Sequence, residues 1–563
     1  MKNGKLILKM LIGIVLAVGL IITACQNDNS NTKQDDTVKE EFGELFDTEK
    51  GFPADLSNSW KVWNNRNALI TQGFGADPTV FEYNGRAYLF ASNDALLYDA
   101  DGKLRETSYG EGIQGLRAIS SADLSNWTDH GLINVGNTPT STNPIDPYGE
   151  NNRVTPYDTR AWAPSAVWKK IDGKDKFFIY FANSGDGIGV ISADSPTGPW
   201  TSPLNKLLID RNTPTCANIQ YLFDPGVMVD DDGTGYMVFG GGNDVSKGPN
   251  GRRVKLGADM ISLDGDPLVW DVPDLFEDNE IVKINGKYYY SYCNNSSKTI
   301  AYMTSNEPLG TYSTPVEIMR APQQQLNTPN ENNHHCIFQF KGDTYIAYHA
   351  SLVSPAMSVS GVKNRSPLIN KVTVNGNGTI SNITMSRIGV PQKGNLNPYV
   401  LNEAETIGIQ GGIYTRAVSD AGNGMVVTSI DTGDWVALYG VDFGSNGAKK
   451  FKAKVRMPDT PADYVGAIEI RLDPKGDGET SSAVNLSATK TARIKGGEVI
   501  GRVKFEKGTD QYATTEIKLY KTVTGVHDLV FVFYSSLGIH PETVNPDSRH
   551  TKGFEFDQWQ FFE

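Results

Sequence analysis

The chain has 563 residues, more than one ordinary core accommodates, so two or more domains are expected. Hydrophobic residues at 39% and charged residues at 21% exclude a disordered or collagen-like chain. A formal charge of −13 argues against nucleic acid as a partner, because its phosphates would be repelled. Four cysteines over this length exclude a disulfide framework, and 57 glycines with 10% aromatic residues suit an all-β protein with many tight turns.

At the N-terminus Lys2, Lys5 and Lys9 precede a short apolar run from Met10 to Ile22, followed by Thr23, Ala24 and Cys25. A basic start and an apolar run too short to span a bilayer read as a secretory signal over 1–24. The Ile-Thr-Ala-Cys ending resembles a bacterial lipobox. That likeness implies an exported protein lipidated at Cys25 and anchored to a bacterial membrane; the alternative is an ordinary signal cut at Ala24, leaving Cys25 free. Cys216, Cys293 and Cys336 then allow at most one disulfide. Residues 25–50 carry eight acids and three bases with few strong apolar residues before Phe42, as expected of a solvated tether.

From residue 51 one pattern recurs: an apolar strand, a glycine turn and an aromatic-rich strand. The turn glycines are Gly85, Gly173, Gly233, Gly286 and Gly342, at intervals of 88, 60, 53 and 56 residues. Asn-Gly and Asp-Gly between alternating apolar runs predict hairpins. A second motif, Ser then a turn then Trp or Tyr, follows at Ser120–Gly131, Ile191–Pro203 and Met303–Pro315. Units of this size with four short strands predict a five-bladed β-propeller over 51–392.

The polar residues sit at one fixed point of the repeat. Asp77 lies eight residues before its turn glycine, Asp224 and Glu277 nine, and His334 eight, with Trp162-Ala163-Pro164 near the same offset. Strand starts at equal offsets converge at one end of a propeller channel, so three carboxylates, a histidine and a tryptophan should share one cavity. Crowded carboxylates lose solvation and repel, so one acid should be held protonated beside an ionised one. That pair is what glycoside hydrolysis uses. Read singly, such acids cap turns or hold a stabilising cation; three at matching offsets favour function.

These motifs resemble family 43 of the glycoside hydrolases, over about Gly51 to Pro391. The likeness implies five-bladed propellers that cleave arabinose- and xylose-containing polysaccharides with inversion. It implies Asp77 as general base, Asp224 as the residue that orients the acid and adjusts its pKa, and Glu277 as general acid, with Glu280 a rival for the last role. Glu277 lies six residues before Lys283, as the family's acid usually does, while Val282 stands where His or Tyr is common. The resemblance also implies Trp162 as a wall of the sugar pocket and Arg365 reaching the site from the last blade. His334 would face the channel, where many members bind calcium or sodium. The alternatives are packing for Trp162, a surface ion pair for Arg365 and a hydrogen-bonded histidine for His334; His335 and His349 read as supporting residues. No cofactor for catalysis is implied.

After Pro391 the repeat ends, and Lys393–Pro398 reads as a connector. Residues 397–563 show short alternating runs with Gly- and Asp-containing turns, which predict a β-sandwich (jelly-roll) domain. Asn402-Glu403-Ala404-Glu405, Gly411-Gly412, Thr432–Val436, Val441–Gly444 and Val526–Leu529 resemble a family 6 carbohydrate-binding module. That likeness implies a structural calcium at Glu403, Glu405 and Asp557, an oxygen-only set that suits the ion. The sugar-binding positions depart from the pattern: Asp510 replaces a stacking ring, the candidate substitute Tyr512 is expected on the other face, and Glu555 stands for an asparagine. The expected activity is an inverting exo-acting α-L-arabinofuranosidase removing side chains from arabinoxylan, a plant polysaccharide. The Phe-Glu-Asp…Tyr-Tyr-Ser-Tyr-Cys stretch resembles the arabinofuranohydrolase branch of family 43. The rivals are a β-xylosidase and a non-catalytic glycan-binding lipoprotein. For an inverting pair, Asp77 and Glu277 should stand roughly 6.5–9.5 Å apart.

Overall fold

All five turn glycines lie at hairpin tips, with φ between 73° and 82°. In four hairpins the preceding residue is also left-handed: Asn84, Asp172, Asn285 and Lys341 have φ of 50°, 50°, 52° and 45°. Two successive positive-φ residues make the primed turn whose twist matches the flanking strands. The strands therefore pair immediately on either side, Tyr83 with Arg86, Ile171 with Lys174, Ile284 with Lys287 and Phe340 with Asp343. The third hairpin has a longer acidic turn, closing at Val229 and Gly235. This computed structural model describes residues 56–94, 113–136, 153–157, 160–329, 332–356, 363–419, 421, 424–458, 460–476, 494–506, 510–537 and 553–563. The expected signal sequence, Cys25 and the expected tether lie outside the described residues.

Each hairpin begins an antiparallel meander. The inner strands are Ala76–Tyr83, Trp162–Ile171, Gly226–Val229, Leu275–Ile284 and His335–Phe340. The first four sheets continue through three further strands of the repeat; the last has three strands among the described residues. Each inner strand packs against the next, and the fifth packs back against the first. Side chains tie neighbouring sheets together. Thr79 Oγ1 accepts from Ala166 N at 3.1 Å, Ser165 Oγ from Val227 N at 2.9 Å, and Asp224 Oδ2 from Asp278 N at 2.9 Å. Asp278 Oδ1 accepts from His335 N at 3.0 Å, and Cys336 Sγ from Val80 N at 3.4 Å. The chain before the first strand runs beside the last sheet, with Leu69 N donating to Pro367 O and Gly75 N to Arg365 O, both at 3.0 Å. Cys216, Cys293 and Cys336 are all buried and unbridged, each within an apolar cluster or against a strand backbone.

The C-terminal region packs two antiparallel sheets face to face. One centres on Ala448–Arg456 and Glu555–Phe562, the other on Trp435–Asp442 and Val526–Ser535. Phe451, Phe531, Phe556, Trp559 and Phe561 fill the space between them with Val436, Leu438, Ile468 and Ile470. Strand periodicity sends the alternate residues Trp435, Ala437 and Tyr439 to the outer face. That face is covered by the chain's own segment 56–63: Ser57 Oγ donates to Asp434 at 2.5 Å, Trp435 Nε1 donates to Ser57 O at 2.8 Å, and Trp63 meets Tyr439 edge-on.

The two regions share backbone pairing as well. Thr406–Ile407, expected within the sandwich, instead extends the first propeller-type sheet by pairing with Trp127 and Thr128. Asn126 holds both the N–H and the carbonyl of Tyr439 at 2.8 Å, while Arg66 stacks on the Tyr439 ring at 3.5 Å. The connector is likewise bound on both sides, since Gln392 Nε2 reaches Asp123 at 3.0 Å and Tyr439 O at 2.9 Å. Asp55 to Glu563 accordingly form one compact unit.

Candidate active site

The inner strands start irregularly, and that irregularity aims their side chains. Asp77, Ala163, Asp224 and Asp278 all have positive φ, at 51°, 43°, 49° and 68°. The ladder slips register next to Ala76, Trp162 and Glu277. A bulge inserts a residue and turns the following side chains, while a left-handed non-glycine residue costs about 1–3 kcal/mol. Three of the four are Asp, which tolerates that region better than most residues.

Asp77 is buried and fully partnered. Arg365 Nη1 donates to its Oδ1 at 3.1 Å and Ser92 Oγ to its Oδ2 at 2.7 Å. Its backbone N–H donates to His349 Nδ1 at 3.0 Å. Burial pushes the Asp77 carboxyl up, but Arg365 chiefly, with the neighbouring His334 and His349 rings adding to it, outweighs burial and holds the group well below the usual carboxylate range. Arg365 is itself fixed by Asp94, whose Oδ2 accepts from its N–H at 2.7 Å and its Nε at 2.9 Å.

Glu277 behaves in the opposite way. It is buried, and burial raises its pKa to about 7; Asp77 adds to the rise, while a hydrogen bond from Asn332 Nδ2 to Oε1 at 2.6 Å works against it. Asp224 is pushed well above the carboxylate range by burial and then by Glu277. The sequence repeat thus brings one ionised carboxylate and one protonated carboxyl into a single network, joined through Arg365 and Asn332. Such a pair can donate one proton and accept another in the same step.

The other expected residues fall as follows. Trp162 is half-buried and sits beside this network, because Ser92 Oγ also accepts from Ala163 N at 2.9 Å. His334 Nδ1 lies 3.6 Å from Asp77 Oδ1 and its Nε2 3.2 Å from Asp278 Oδ1. Burial lowers its pKa to about 4, so the ring is neutral near pH 7. Both ring nitrogens face carboxylate oxygens, and a channel ion would have to displace one of these contacts. Glu280 lies three residues beyond Glu277, beside Cys336, with burial alone raising its pKa. Asp278, Ser92, Asp94 and Asn332 were not singled out from the sequence. Asp278 directly follows Glu277 and could have been found; the others lie outside the repeated offset.

In the sandwich, Glu405 is buried, and neither carboxylate oxygen has a hydrogen-bond partner. Burial pushes its pKa well up, and Glu403, Asp129 and Asp557 add to the rise. Glu403 meets Gln558 Nε2 at 3.1 Å, and Asp557 meets Lys454 Nζ at 2.6 Å. Among the described residues no three His, Cys, Asp or Glu side chains are grouped closely enough to hold a metal ion. Glu405 is thus a buried carboxylate without a hydrogen-bond partner, an oxygen donor of the kind calcium takes. Tyr512 donates to Glu555 Oε2 at 3.2 Å, and Arg456 lies over its ring at 4.7 Å. Glu555 also pairs with Arg416 and Arg456, so the position expected to carry a sugar-binding asparagine is an ion-pair cluster.

Fold and site define a class: an all-β propeller-type domain with buried carboxyls of opposed proton affinity at its inner strand starts, joined to a β-sandwich. Residues 66–380 match the glycosyl hydrolases of family 43, and residues 403–545 match the family 6 carbohydrate-binding modules. The chain belongs to glycosyl hydrolase family 43. It is 39% identical over 501 residues to an arabinoxylan arabinofuranohydrolase of Paenibacillus polymyxa, covering 84% of this chain and 73% of that one. It is also 39% identical over 518 residues to an arabinoxylan arabinofuranohydrolase of Bacillus subtilis (strain 168), covering 88% and 92%. A crystal structure of a family 43 arabinoxylan arabinofuranohydrolase from Bacillus subtilis, in complex with cellotetraose, aligns with a TM-score of 0.77 at 37% identity, over 90% of this chain and 99% of that one.

Proposed function

We propose that this protein is an inverting exo-acting α-L-arabinofuranosidase that removes arabinose side chains from arabinoxylan, and that its five sheets are the blades of a five-bladed propeller. The observation that carries the reading is the opposed proton affinity of Asp77 and Glu277 in one buried network. Its specificity is supported by 39% identity to two arabinoxylan arabinofuranohydrolases over most of the chain.

In this mechanism Glu277 gives its proton to the glycosidic oxygen as the bond from that oxygen to the anomeric carbon breaks. Asp77 takes a proton from a water that attacks the same carbon from the opposite face, so the anomer inverts. Asp224 orients Glu277 and adjusts its pKa. Arg365 holds Asp77 ionised, His334 stands beside it as a neutral ring, and Trp162 forms a wall of the sugar pocket.

A pH dependence follows. Glu277 carries its proton below about pH 7 and loses it above, while Asp77 stays ionised throughout. The kcat/KM on arabinoxylan oligosaccharides should therefore fall as pH rises through about 7; a profile flat to about pH 9 would remove Glu277 from the acid's role.

The decisive experiment incubates the protein with arabinoxylan, linear arabinan and xylo-oligosaccharides, identifies the released sugars and reads the first-formed anomer by NMR. Arabinose of inverted configuration from arabinoxylan is expected. Xylose from the oligosaccharides would make the protein a β-xylosidase, and binding without any product would make it a glycan-binding protein.

Two further assignments belong to this reading. Glu405, Glu403 and Asp557 hold a structural calcium, which relieves the unpartnered carboxylate; a chelator should then lower the melting temperature, and an unchanged one would count against the ion. Cys25, after its lipobox-like sequence, anchors the chain to a bacterial membrane, which mass spectrometry of the membrane fraction would detect as an acylated N-terminus.

A further inference from the structure

Asn332 lies outside the repeated offset, yet it is the side chain that joins the two halves of the catalytic network. Its Nδ2 donates to Glu277 Oε1 at 2.6 Å, and its Oδ1 accepts from Arg365 Nη1 at 3.4 Å. The same Arg365 nitrogen donates to Asp77 Oδ1 at 3.1 Å. A guanidinium can only donate. The amide must therefore turn its oxygen to Arg365 and its NH₂ to Glu277, independently of how an amide is usually assigned.

The backbone of Asn332 is held as firmly. The N–H of Asp77 donates to His349 Nδ1 at 3.0 Å, and the ring's other nitrogen, Nε2, lies 3.2 Å from the carbonyl of Asn332, which can only accept. The next residue, Asn333, is fully buried, and its Nδ2 donates to Met319 O at 3.2 Å. The Asn332 side chain thus points at Glu277 from a backbone clamped to Asp77 on one side and to the fourth sheet on the other.

This orientation has a chemical consequence. A protonated carboxyl has one carbonyl-type oxygen, which accepts hydrogen bonds well, and one hydroxyl oxygen, which accepts poorly and must donate. An NH₂ group fixed on Oε1 makes that oxygen the acceptor. We infer that Asn332 is a positioning residue that places the proton of Glu277 on Oε2, the oxygen left to face the glycosidic bond. Without it the proton is shared between both oxygens, and part of the population presents the wrong one to the leaving group. The inference rests on Glu277 being the general acid.

The test uses two variants in the full chain. Asn332→Asp keeps the size and the oxygen facing Arg365 but replaces the donor with an acceptor; Asn332→Ala removes both contacts. Each is assayed on an arabinoxylan oligosaccharide, whose leaving alcohol needs a proton, and on a nitrophenyl arabinofuranoside, whose leaving group does not. Both variants should lose roughly 10²-fold in kcat on the oligosaccharide, the lower end of what general-acid assistance supplies, and less than about tenfold on the nitrophenyl glycoside. KM should change little. Equal losses on the two substrates, or a loss confined to KM, would overturn the inference in favour of substrate binding or folding. Wild-type turnover by Asn332→Asp would overturn it as well. Glu277→Gln run alongside separates the two failures: if it is inactive on the oligosaccharide while Asn332→Asp is unaffected, the inference alone falls; if it is active, the acid assignment falls first.

Discussion

Replacing Glu277 with glutamine should reduce turnover of arabinoxylan by roughly 10²–10⁴-fold, the contribution of a general acid, while the fold survives. Glutamine has the shape of the protonated acid and can still accept from Asn332 at the position of Oε1. It cannot release a proton to the leaving oxygen. The loss should shrink on a nitrophenyl arabinofuranoside, whose leaving group departs without protonation. Stability should move the other way. The folded pKa of about 7 lies above the ordinary value of 4.5, so between those values the native state holds a proton that the unfolded chain has released. Stability from this group therefore falls as pH rises through that window. The glutamine variant removes the slope and should be the more stable protein at neutral pH, as measured by denaturant unfolding. Near-normal turnover of the polysaccharide would transfer the acid role to Glu280.

Replacing Asp77 with asparagine should have a comparable effect on turnover but a different signature. The amide cannot take the proton of the attacking water, a step that every substrate requires. The loss, again roughly 10²–10⁴-fold, should therefore be as large on the nitrophenyl glycoside as on arabinoxylan. The contrast between the two variants, measured as the ratio of kcat/KM on the two substrates, assigns acid and base without reference to structure. The charge lost is also one to which Arg365 and His334 are oriented. Arg365 retains Asp94 at 2.9 Å, so a modest fall in melting temperature is expected and not collapse of the site. A loss that a better leaving group rescues would exclude Asp77 as the base.

The sandwich does more than follow the catalytic region. Segment 56–63 covers its outer face, Asn126 and Arg66 engage Tyr439, and Thr406–Ile407 joins the first sheet. A sheet face already occupied by the chain's own residues is not open to a sugar. The cluster of Glu555 with Arg416, Arg456 and Tyr512 occupies the position expected to carry a sugar-binding asparagine. Both observations favour a bracing role for this region over glycan capture at either position.

The hairpins, the convergence of Asp77, Asp224, Glu277 and His334, and the two-region plan were legible in the sequence, because each rests on a local rule. Asn-Gly and Asp-Gly take positive φ wherever they occur between alternating strands, and residues at equal offsets from such turns occupy equivalent positions in every repeat. Other features have no local signature. Asn332 lies in the connection between the fourth and fifth sheets and Asp94 just after the second strand of the first, and nothing in their neighbours announces that one will meet Glu277 and the other Arg365. The alternation in Trp435–Tyr439 showed a strand with two faces but not that one would be covered by a segment from nearly 400 residues earlier. Above all, residue types alone could not decide which of the buried carboxyls is charged. Burial raises the proton affinity of Asp77 and Glu277 alike; the sign for Asp77 is reversed chiefly because Arg365, anchored on Asp94, closes onto it from the neighbouring last sheet, with His334 and His349 adding to the effect. The sequence by itself determined that the residues at the repeated offset meet, and the tertiary structure decided what joins them and which of them holds the proton.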